Sequence, residues 1–194
     1  MSFEIFGNKN FIDFMPVFKM LNDELTGQNE SLSLVCAGGY VLQLNGYRGT
    51  ADVDAFFNSN AVIEKIIRKV GDIFGINKPD ELWLNNSLSN MNPEPPSKYC
   101  KLIHQFPNLT VLAVDLLYLV GMKLTSARGQ DMKDVVEIIR NNKDLEPFEL
   151  SKKLTEMGFA IDISILLDAY GEARGMEWLE QFYKEHEHKL SELF

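Results

Sequence analysis

A glycine pair followed by two aspartates at alternate positions constrains this chain more than any other feature. Residues 34–37 (LVCA) are apolar enough for a buried strand. Gly38 and Gly39 then permit a sharp turn that lets a ligand approach the backbone. Residues 40–45 predict one or two helical turns, which Gly46 ends. The stretch therefore predicts a strand, a tight turn, a short helix and a second strand, in that order.

The second strand of this unit is predicted to carry Asp52 and Asp54. Alternate residues of a strand point to the same face, which sets the Cα atoms of the two aspartates about 6.5 Å apart on one side of the sheet. Two carboxylates this close repel each other unless a cation lies between them. Carboxylate oxygens suit Mg²⁺ or Mn²⁺, and these ions in turn hold phosphates. The pair therefore predicts a divalent-metal site.

Six residues carry a resemblance to a known superfamily: Gly38, Gly39, Arg48, Thr50, Asp52 and Asp54. Their order and spacing resemble the nucleotidyltransferase superfamily, whose core is a Gly-Gly or Gly-Ser turn followed by an Asp-x-Asp strand. The longer Arg-x-Thr-x-Asp-x-Asp pattern is similar to the branch of small bacterial nucleotidyltransferases that includes the AbiEii-type toxins and the family DUF6036.

The resemblance implies a role for each of these residues. The two aspartates would be catalytic and hold Mg²⁺ or Mn²⁺ as cofactor, with a nucleoside triphosphate (NTP) as substrate. The glycine pair would offer backbone N–H groups to the triphosphate. Arg48 and Thr50 would complete the nucleotide-binding site, with Arg48 contacting phosphate or bracing Asp52.

A second group of polar residues lies in the segment 116–134, LLYLVGMKLTSARGQDMKD. Lys123 stands inside an apolar helix, where a charge is costly unless it reaches a partner. Arg128 follows at the helix junction, and Asp131 and Asp134, three residues apart, share a helix face. The residues alone are also compatible with a purely structural role. In that interpretation, Lys123 extends to solvent and Arg128 forms a surface ion pair with one of the aspartates.

The same four residues resemble the later motifs of the AbiEii and DUF6036-type families. The resemblance implies that Lys123 contacts the nucleotide phosphates and takes part in catalysis with Asp131, and that Arg128 contacts the nucleotide. Active members of the superfamily usually carry a third carboxylate on a later strand, but the strand predicted at residues 109–114 contains none. Asp115 and Asp134 are the candidates for that carboxylate, although Asp115 is also placed to cap the following helix.

Two functions therefore follow from the resemblance. The first is a metal-dependent nucleotidyltransferase that transfers a nucleoside monophosphate from an NTP to an unidentified acceptor hydroxyl on RNA, protein or a small molecule. Such an enzyme could be the toxin of a pair whose partner is an antitoxin protein. The second is a catalytically inactive nucleotide- or partner-binding protein on the same scaffold.

The order of predicted elements favours an α/β (α+β) fold. A nucleotidyltransferase-like mixed sheet core with helices is expected over residues 1–114, and a helical part over 115–194 is expected to pack on the core and contribute to the site. Residues 77–101 are predicted to form an irregular ordered loop, because three prolines fall within four residues. Trp83 in that loop either anchors it to the core or lies over the site. Helices are predicted at 9–26, 60–74, 115–124, 130–140, 147–157, 163–170 and from 176 onward.

Bulk properties restrict the partners and the compartment. The net charge of −9 creates a field that opposes nucleic acid as a general partner, although a local basic patch can still bind RNA. No apolar run reaches about 18 residues, so no membrane partner is expected. The first ten residues lack the pattern of a secretory signal. Cys36 and Cys100 suit a reducing compartment, with one disulfide left open, and the protein is predicted to be cytoplasmic.

Overall fold

The computed structural model describes residues 11–90 and 93–191. The chain divides into two compact units, Met1–Leu116 and Leu117–Phe194. Strands and helices alternate in the first unit, and helices alone form the described part of the second, so the predicted mixed α/β class is confirmed. Within the described ranges, no helix combines the length and the apolar character needed to cross a membrane.

The first unit contains a five-stranded mixed sheet with the strand order β3-β2-β1-β5-β4. Strand β1 is parallel to β5 and antiparallel to β2, while β2 is parallel to β3, and β4 is antiparallel to β5. The elements of this unit are α1 (Met15–Gly27), β1 (Leu32–Cys36), α2 (Gly38–Leu44), β2 (Val53–Phe56), α3 (Ala61–Phe74), β3 (Leu84–Asn85), β4 (Cys100–Gln105) and β5 (Leu109–Val114).

Local chemistry explains where the helices of this unit begin. Helix α1 starts at Met15 rather than at residue 9, because Pro16 fits the first helical turn and the Asp13 carboxylate accepts the N–H of Met15 at 2.9 Å. Residues 9 and 10 of the predicted helix lie outside the described residues. Asn60 caps α3, because its side-chain oxygen accepts the N–H groups of the second and third helical residues.

The prediction of an irregular loop over residues 77–101 is wrong at two places. Leu84–Asn85 forms the short strand β3 beside β2, and β4 begins at Cys100. Both are edge strands, and β4 carries polar residues without a clean alternation of burial. These two segments adopt the extended conformation because they pair with β2 and β5. The residue pattern within a segment does not reveal such pairing.

An aromatic cluster joins the helices of the first unit to the sheet. The rings of Phe14 and Phe18 each contact Tyr40 and Trp83, with centroid distances between 5.6 and 6.1 Å. Trp83 is 1% exposed, and its indole N–H donates to the carbonyl of Ile67 in α3 at 2.9 Å. Of the two roles left open for Trp83, the structure therefore supports the anchor.

The second unit is built from helices that pack around α7. Helix α7 contacts α5, α6 and α8, and the ring of Phe159 lies so close to Gly121 that a side chain at Gly121 would overlap it. The buried apolar side chains include Val135, Ile139, Leu150, Leu154, Leu166 and Tyr170. The helices are α4 (Leu116–Ser126), α5 (Gly129–Asn141), α6 (Pro147–Glu156), α7 (Ile163–Arg174) and α8 (Met176–Ser191).

Candidate functional site

Gly38 and Gly39, called the glycine turn below, begin α2, so the prediction that this helix starts at residue 40 is wrong by two residues. Gly38 lies against the second aspartate of the motif, Asp54. Gly38 has φ +57°, and a Cβ built on it would overlap the Asp54 carboxylate, with Asp54 Cβ and Cγ only 3.3 Å away. The strand pairing explains this approach, because the N–H of Ala37 donates to the carbonyl of Asp54 at 2.9 Å. Only a residue without a side chain fits at position 38.

The Asp54 carboxylate is oriented by the neighbouring strand. Asn85 in β3 is paired with Asp54 in the register of the two strands, and its side-chain N–H₂ donates to Asp54 Oδ1 at 3.0 Å. The side-chain oxygen of Asn85 accepts in turn from the Ser87 hydroxyl at 2.7 Å. This second bond fixes which way the Asn85 amide faces, so Asp54 is held in one orientation.

The first aspartate lies at the entrance to β2 rather than within it. Since β2 begins at Val53, the prediction that one strand carries both aspartates is wrong by one residue. The buried hydroxyl of Thr50 donates to Asp52 Oδ1 at 2.9 Å, and the N–H of Thr50 donates to the side-chain oxygen of Gln43 at 3.1 Å. A Cβ on Gly39 would lie 2.5 Å from the Thr50 hydroxyl. Thr50 therefore links the glycine turn to Asp52.

The other oxygen of Asp52 is paired with a lysine. The ammonium of Lys78 lies 2.6 Å from Asp52 Oδ2 and 2.7 Å from Glu81 Oε2. The hydrogen bond to Asp52, and after it the bond to Glu81, raises the pKa of Lys78 above its usual range. Lys78 therefore stays a cation at neutral pH, and it balances the charge of Asp52.

The guanidinium of Arg48 lies beside the glycine turn. Its Nη1 atom would be 3.4 Å from a Cβ on Gly39, and it donates to the carbonyl of Gly49 at 3.3 Å. A guanidinium at this place is suited to a phosphate bound at the turn. The predicted contact of Arg48 with the nucleotide stays a prediction.

Asp115 directly follows the C-terminal end of β5, and Gly38 follows the C-terminal end of the neighbouring strand β1. Strands β1 and β5 are parallel with Cys36 opposite Ala113, so both residues stand two positions beyond a matched pair at the same end of the sheet. The Asp115 carboxylate forms a 3.1 Å ion pair with Lys101. Its role as the third carboxylate stays a prediction.

The later predicted residues form a separate cluster within the second unit. The ammonium of Lys123 contacts Asp131 Oδ1 at 2.6 Å and Asp134 Oδ2 at 2.8 Å. Ser126 donates to the other oxygen of Asp131, and Gln130 donates to the other oxygen of Asp134. The side chains of Lys123 and Asp134 are only 6% and 4% exposed. The interpretation in which Lys123 extends to solvent is therefore wrong.

Arg128 stands directly before α5, at its N-cap position, and is exposed. The roles predicted for Lys123, Arg128, Asp131 and Asp134 toward a nucleotide stay predictions. What the described contacts support is that a buried cation with two carboxylate partners joins α4 to α5.

Sequence reasoning missed three polar residues of the first unit's site, namely Lys78, Glu81 and Asn85. A weak signal was present, since Lys-Pro-Asp-Glu at 78–81 is a turn sequence that follows a helix. The N–H of Lys78 donates to the carbonyl of Glu81 at 2.9 Å, which confirms that the segment turns back on itself.

Asp52 and Asp54 supply oxygen donors that suit a hard cation such as Mg²⁺ or Mn²⁺. Asp52 Oδ2 already contacts a cation, the Lys78 ammonium, so a positive charge can reach this oxygen. In the part of the chain that the structure describes, no three or more His, Cys, Asp or Glu side chains converge as a metal site. Mg²⁺ is often held by one or two carboxylates, with water and substrate phosphates as the other ligands, so the donor set fits.

Cys36 lies at the end of β1, in the buried core of the first unit. Its side chain is fully buried, and burial, followed by the nearby charge of Asp54, raises the pKa of its thiol well above the usual range. Cys36 and Cys100 are both free thiols, so the disulfide left open by the sequence is not formed.

Comparison with known proteins identifies the family of the chain. Residues 13–158 match the family described as "Nucleotidyltransferase of unknown function (DUF6036)". The match covers well over half of the chain, and the chain belongs to this family. Its general role is thus that of a nucleotidyltransferase. No curated protein and no solved structure matches the chain.

Proposed function

We propose that this chain is a metal-dependent nucleotidyltransferase that moves a nucleoside monophosphate from an NTP to an acceptor hydroxyl. The proposal is carried by the contact between the Gly38 turn and the Asp54 carboxylate. In this contact, a backbone segment without a side chain, which a phosphate can approach closely, lies next to a carboxylate that can bind a cation. A triphosphate carrying a divalent cation requires both groups at one place.

Asp52 and Asp54 are the proposed holders of Mg²⁺ or Mn²⁺, which would neutralise charge on the phosphates during transfer. The chain orients both carboxylates in advance. Thr50 donates to Asp52, and Asn85 donates to Asp54. Because these side chains are already ordered, less conformational freedom is lost when the ligand binds.

The transfer step requires a phosphate cradle and a proton acceptor. The proposed cradle consists of the N–H groups of Gly38 and Gly39 together with the Arg48 guanidinium. The acceptor oxygen forms a bond to the α-phosphorus while the bond from that phosphorus to the bridging oxygen breaks, so pyrophosphate leaves. We infer that Asp115 accepts the hydroxyl proton, and the support for this role is that Asp115 and Gly38 follow the C-terminal ends of two neighbouring parallel strands.

Label transfer tests this proposal. The protein is incubated with each α-labelled NTP and Mn²⁺. The acceptor is the RNA, the protein or the small-molecule fraction of a cell extract. We expect label in one acceptor class, and we expect Asp52→Asn and Asp54→Asn to abolish it. Asp168→Asn, an exposed aspartate of the second unit, is the matched control and should transfer as the wild type does.

Calorimetry separates the alternative function. Nucleotide binding without transfer to any acceptor would favour the catalytically inactive binding protein. The absence of both binding and transfer would exclude the proposed site.

A toxin role is proposed from the resemblance to AbiEii-type toxins and needs its own test. Induced expression should arrest growth of a bacterial host, and the Asp54→Asn protein at the same level should not. Growth arrest by both proteins would contradict an enzymatic toxin, because that arrest does not depend on the site. An antitoxin partner would be sought as a protein whose co-expression restores growth.

A further inference from the structure

The turn at residues 78–81 brings a cation to the proposed metal ligand Asp52. The Lys78 ammonium lies 2.6 Å from Asp52 Oδ2, and Glu81 Oε2 contacts the same ammonium at 2.7 Å. Thr50 occupies the remaining Asp52 oxygen. Both oxygens of Asp52 are therefore engaged, one by a neutral hydroxyl and one by a positive charge.

The turn is anchored at both ends, so this arrangement is built into the fold. At one end, the Asn77 side chain donates to the carbonyl of Arg68 at 2.8 Å. At the other end, Trp83 is buried, and its backbone N–H donates to the Asn77 side-chain oxygen at 3.2 Å. The carbonyl of Trp83 also accepts the N–H of Val53, the residue after Asp52, at 2.6 Å. The loop that carries Lys78 is thus tied directly to the strand that follows Asp52.

A divalent cation and the Lys78 ammonium compete for the same side of Asp52. Thr50 is largely buried and helps to hold the glycine turn, so the lysine side is the side that can open. Lys78 is 47% exposed, which leaves its long side chain free to move once Asp52 binds another cation. Glu81 would keep the displaced ammonium near the site, and an ammonium is a good ligand for phosphate oxygens.

We propose that Lys78 is an exchangeable counter-ion of Asp52, which a divalent cation displaces and which then contacts the phosphates of the bound NTP. This inference rests on the proposed function and deepens it, because it names a nucleotide-positioning residue that the motif does not contain. In the protein without a bound cation, the Lys78 ammonium balances the charge of Asp52. In the protein with a bound cation and NTP, the same ammonium contacts the phosphates of the substrate.

The proposal predicts effects of opposite sign for one substitution. Lys78→Gln removes the competitor, so Mn²⁺ alone should bind about two- to fivefold more tightly, as measured by electron paramagnetic resonance. At saturating Mn²⁺, a non-hydrolysable triphosphate should bind about tenfold more weakly by calorimetry, because a charge-assisted contact is lost. Lys78→Arg keeps the charge and should shift both affinities less than Lys78→Gln does.

Lys69→Gln is the matched control. Lys69 forms an ion pair with Glu24 at 2.6 Å with closely similar exposure, 57% and 23% against 47% and 23% for Lys78 and Asp52. Its loss should leave both affinities unchanged. Asp52→Asn should abolish Mn²⁺ binding in the wild-type and Lys78→Gln backgrounds, which locates the ion.

The outcomes distinguish this proposal from the proposed function. Mn²⁺ binding that depends on Asp52 but is unchanged by Lys78→Gln would overturn the counter-ion role and leave the proposed function standing. If Lys78→Gln binds Mn²⁺ more tightly but binds the triphosphate with unchanged affinity, the proposed contact of Lys78 with the phosphates is wrong. Lack of Mn²⁺ binding by both the wild type and Lys78→Gln, in the absence and in the presence of the triphosphate, would overturn both proposals. Circular dichroism of each variant shows that it is folded.

Discussion

The backbone of Gly38 lies directly against the carboxylate of Asp54. Gly38 adopts the left-handed region at φ +57°, and a Cβ there would overlap Asp54 Oδ2. A larger residue at position 38 must therefore strain the backbone and also push the carboxylate away. The two parts of the motif thus constrain each other's position.

Replacing Gly38 with alanine should cost more stability than the backbone strain alone. Gly46 provides the comparison, because it has φ +78° and a Cβ added to it would meet nothing within 4 Å, so Gly46→Ala introduces strain of about 1–2 kcal/mol. We expect Gly38→Ala to lose about 1–3 kcal/mol beyond this, from the overlap with Asp54. Urea unfolding of both variants measures the difference, and equal losses would contradict the contact.

Replacing either aspartate of the pair should remove ligand-induced stabilisation. Wild type should melt at a higher temperature with Mn²⁺ and a triphosphate, because ligand binding to the native state raises apparent stability. Asp52→Asn and Asp54→Asn should lose most of that increase. Without ligand, Asp52→Asn should cost about 1 kcal/mol or less, since its ion pair with Lys78 is partly exposed. An unchanged ligand-induced shift in both variants would rule out the assigned site.

Removing the buried cation of the second unit should be strongly destabilising. Lys123→Met removes the ammonium that Asp131 and Asp134 contact, and breaking a buried ion pair by removing one partner costs about 3–5 kcal/mol. The double variant Lys123→Met with Asp134→Leu removes the more buried carboxylate as well and should recover part of the loss. Chemical denaturation measures both. A loss of only a few tenths of a kcal/mol in the single variant would show that the cluster is not buried as described.

Trp83→Phe should loosen the loop that carries Lys78. The change removes the indole N–H and leaves the Ile67 carbonyl without this donor in the core, for which we expect a loss of about 1–3 kcal/mol. Trp178→Phe is the control, because Trp178 is only partly buried and stacks on Tyr170 and Phe182. Thermal melting should separate the two variants, and equal losses would argue against Trp83 as the anchor.

Cys36 should make the protein less stable at alkaline pH. The raised pKa keeps its thiol protonated in the fold, whereas the unfolded thiol ionises near its ordinary value of 9.0. Above that pH the unfolded state binds fewer protons than the native state, so the free energy of unfolding falls as pH rises. Stability should therefore fall less steeply from about pH 8 to pH 10 in Cys36→Ala than in wild type. The slope for Cys100→Ala, whose thiol is partly exposed, should stay closer to wild type.

Short-range features of the fold could be predicted from the chain order. The glycine turn, the end of α2 before Gly46 and the periodic helix α3 all depend on backbone preferences and periodicity within a few residues. The family match covers residues 13–158 and so includes both groups of motif residues. Edge strand β4 could not be found in this way, since it is extended by pairing with β5 rather than by its own pattern.

The glycine turn, the order of the carboxylates and the mixed α/β class follow from the amino-acid sequence alone. The groups that balance and orient those carboxylates become apparent only once the chain is folded. Asp52 meets Lys78, 26 residues away, and Asp54 meets Asn85, 31 residues away. Lys123 pairs with two carboxylates instead of reaching solvent. A polar side chain can bond to many partners with similar energy, so the choice among them depends on which backbone segments the sheet and the helices bring within hydrogen-bonding distance.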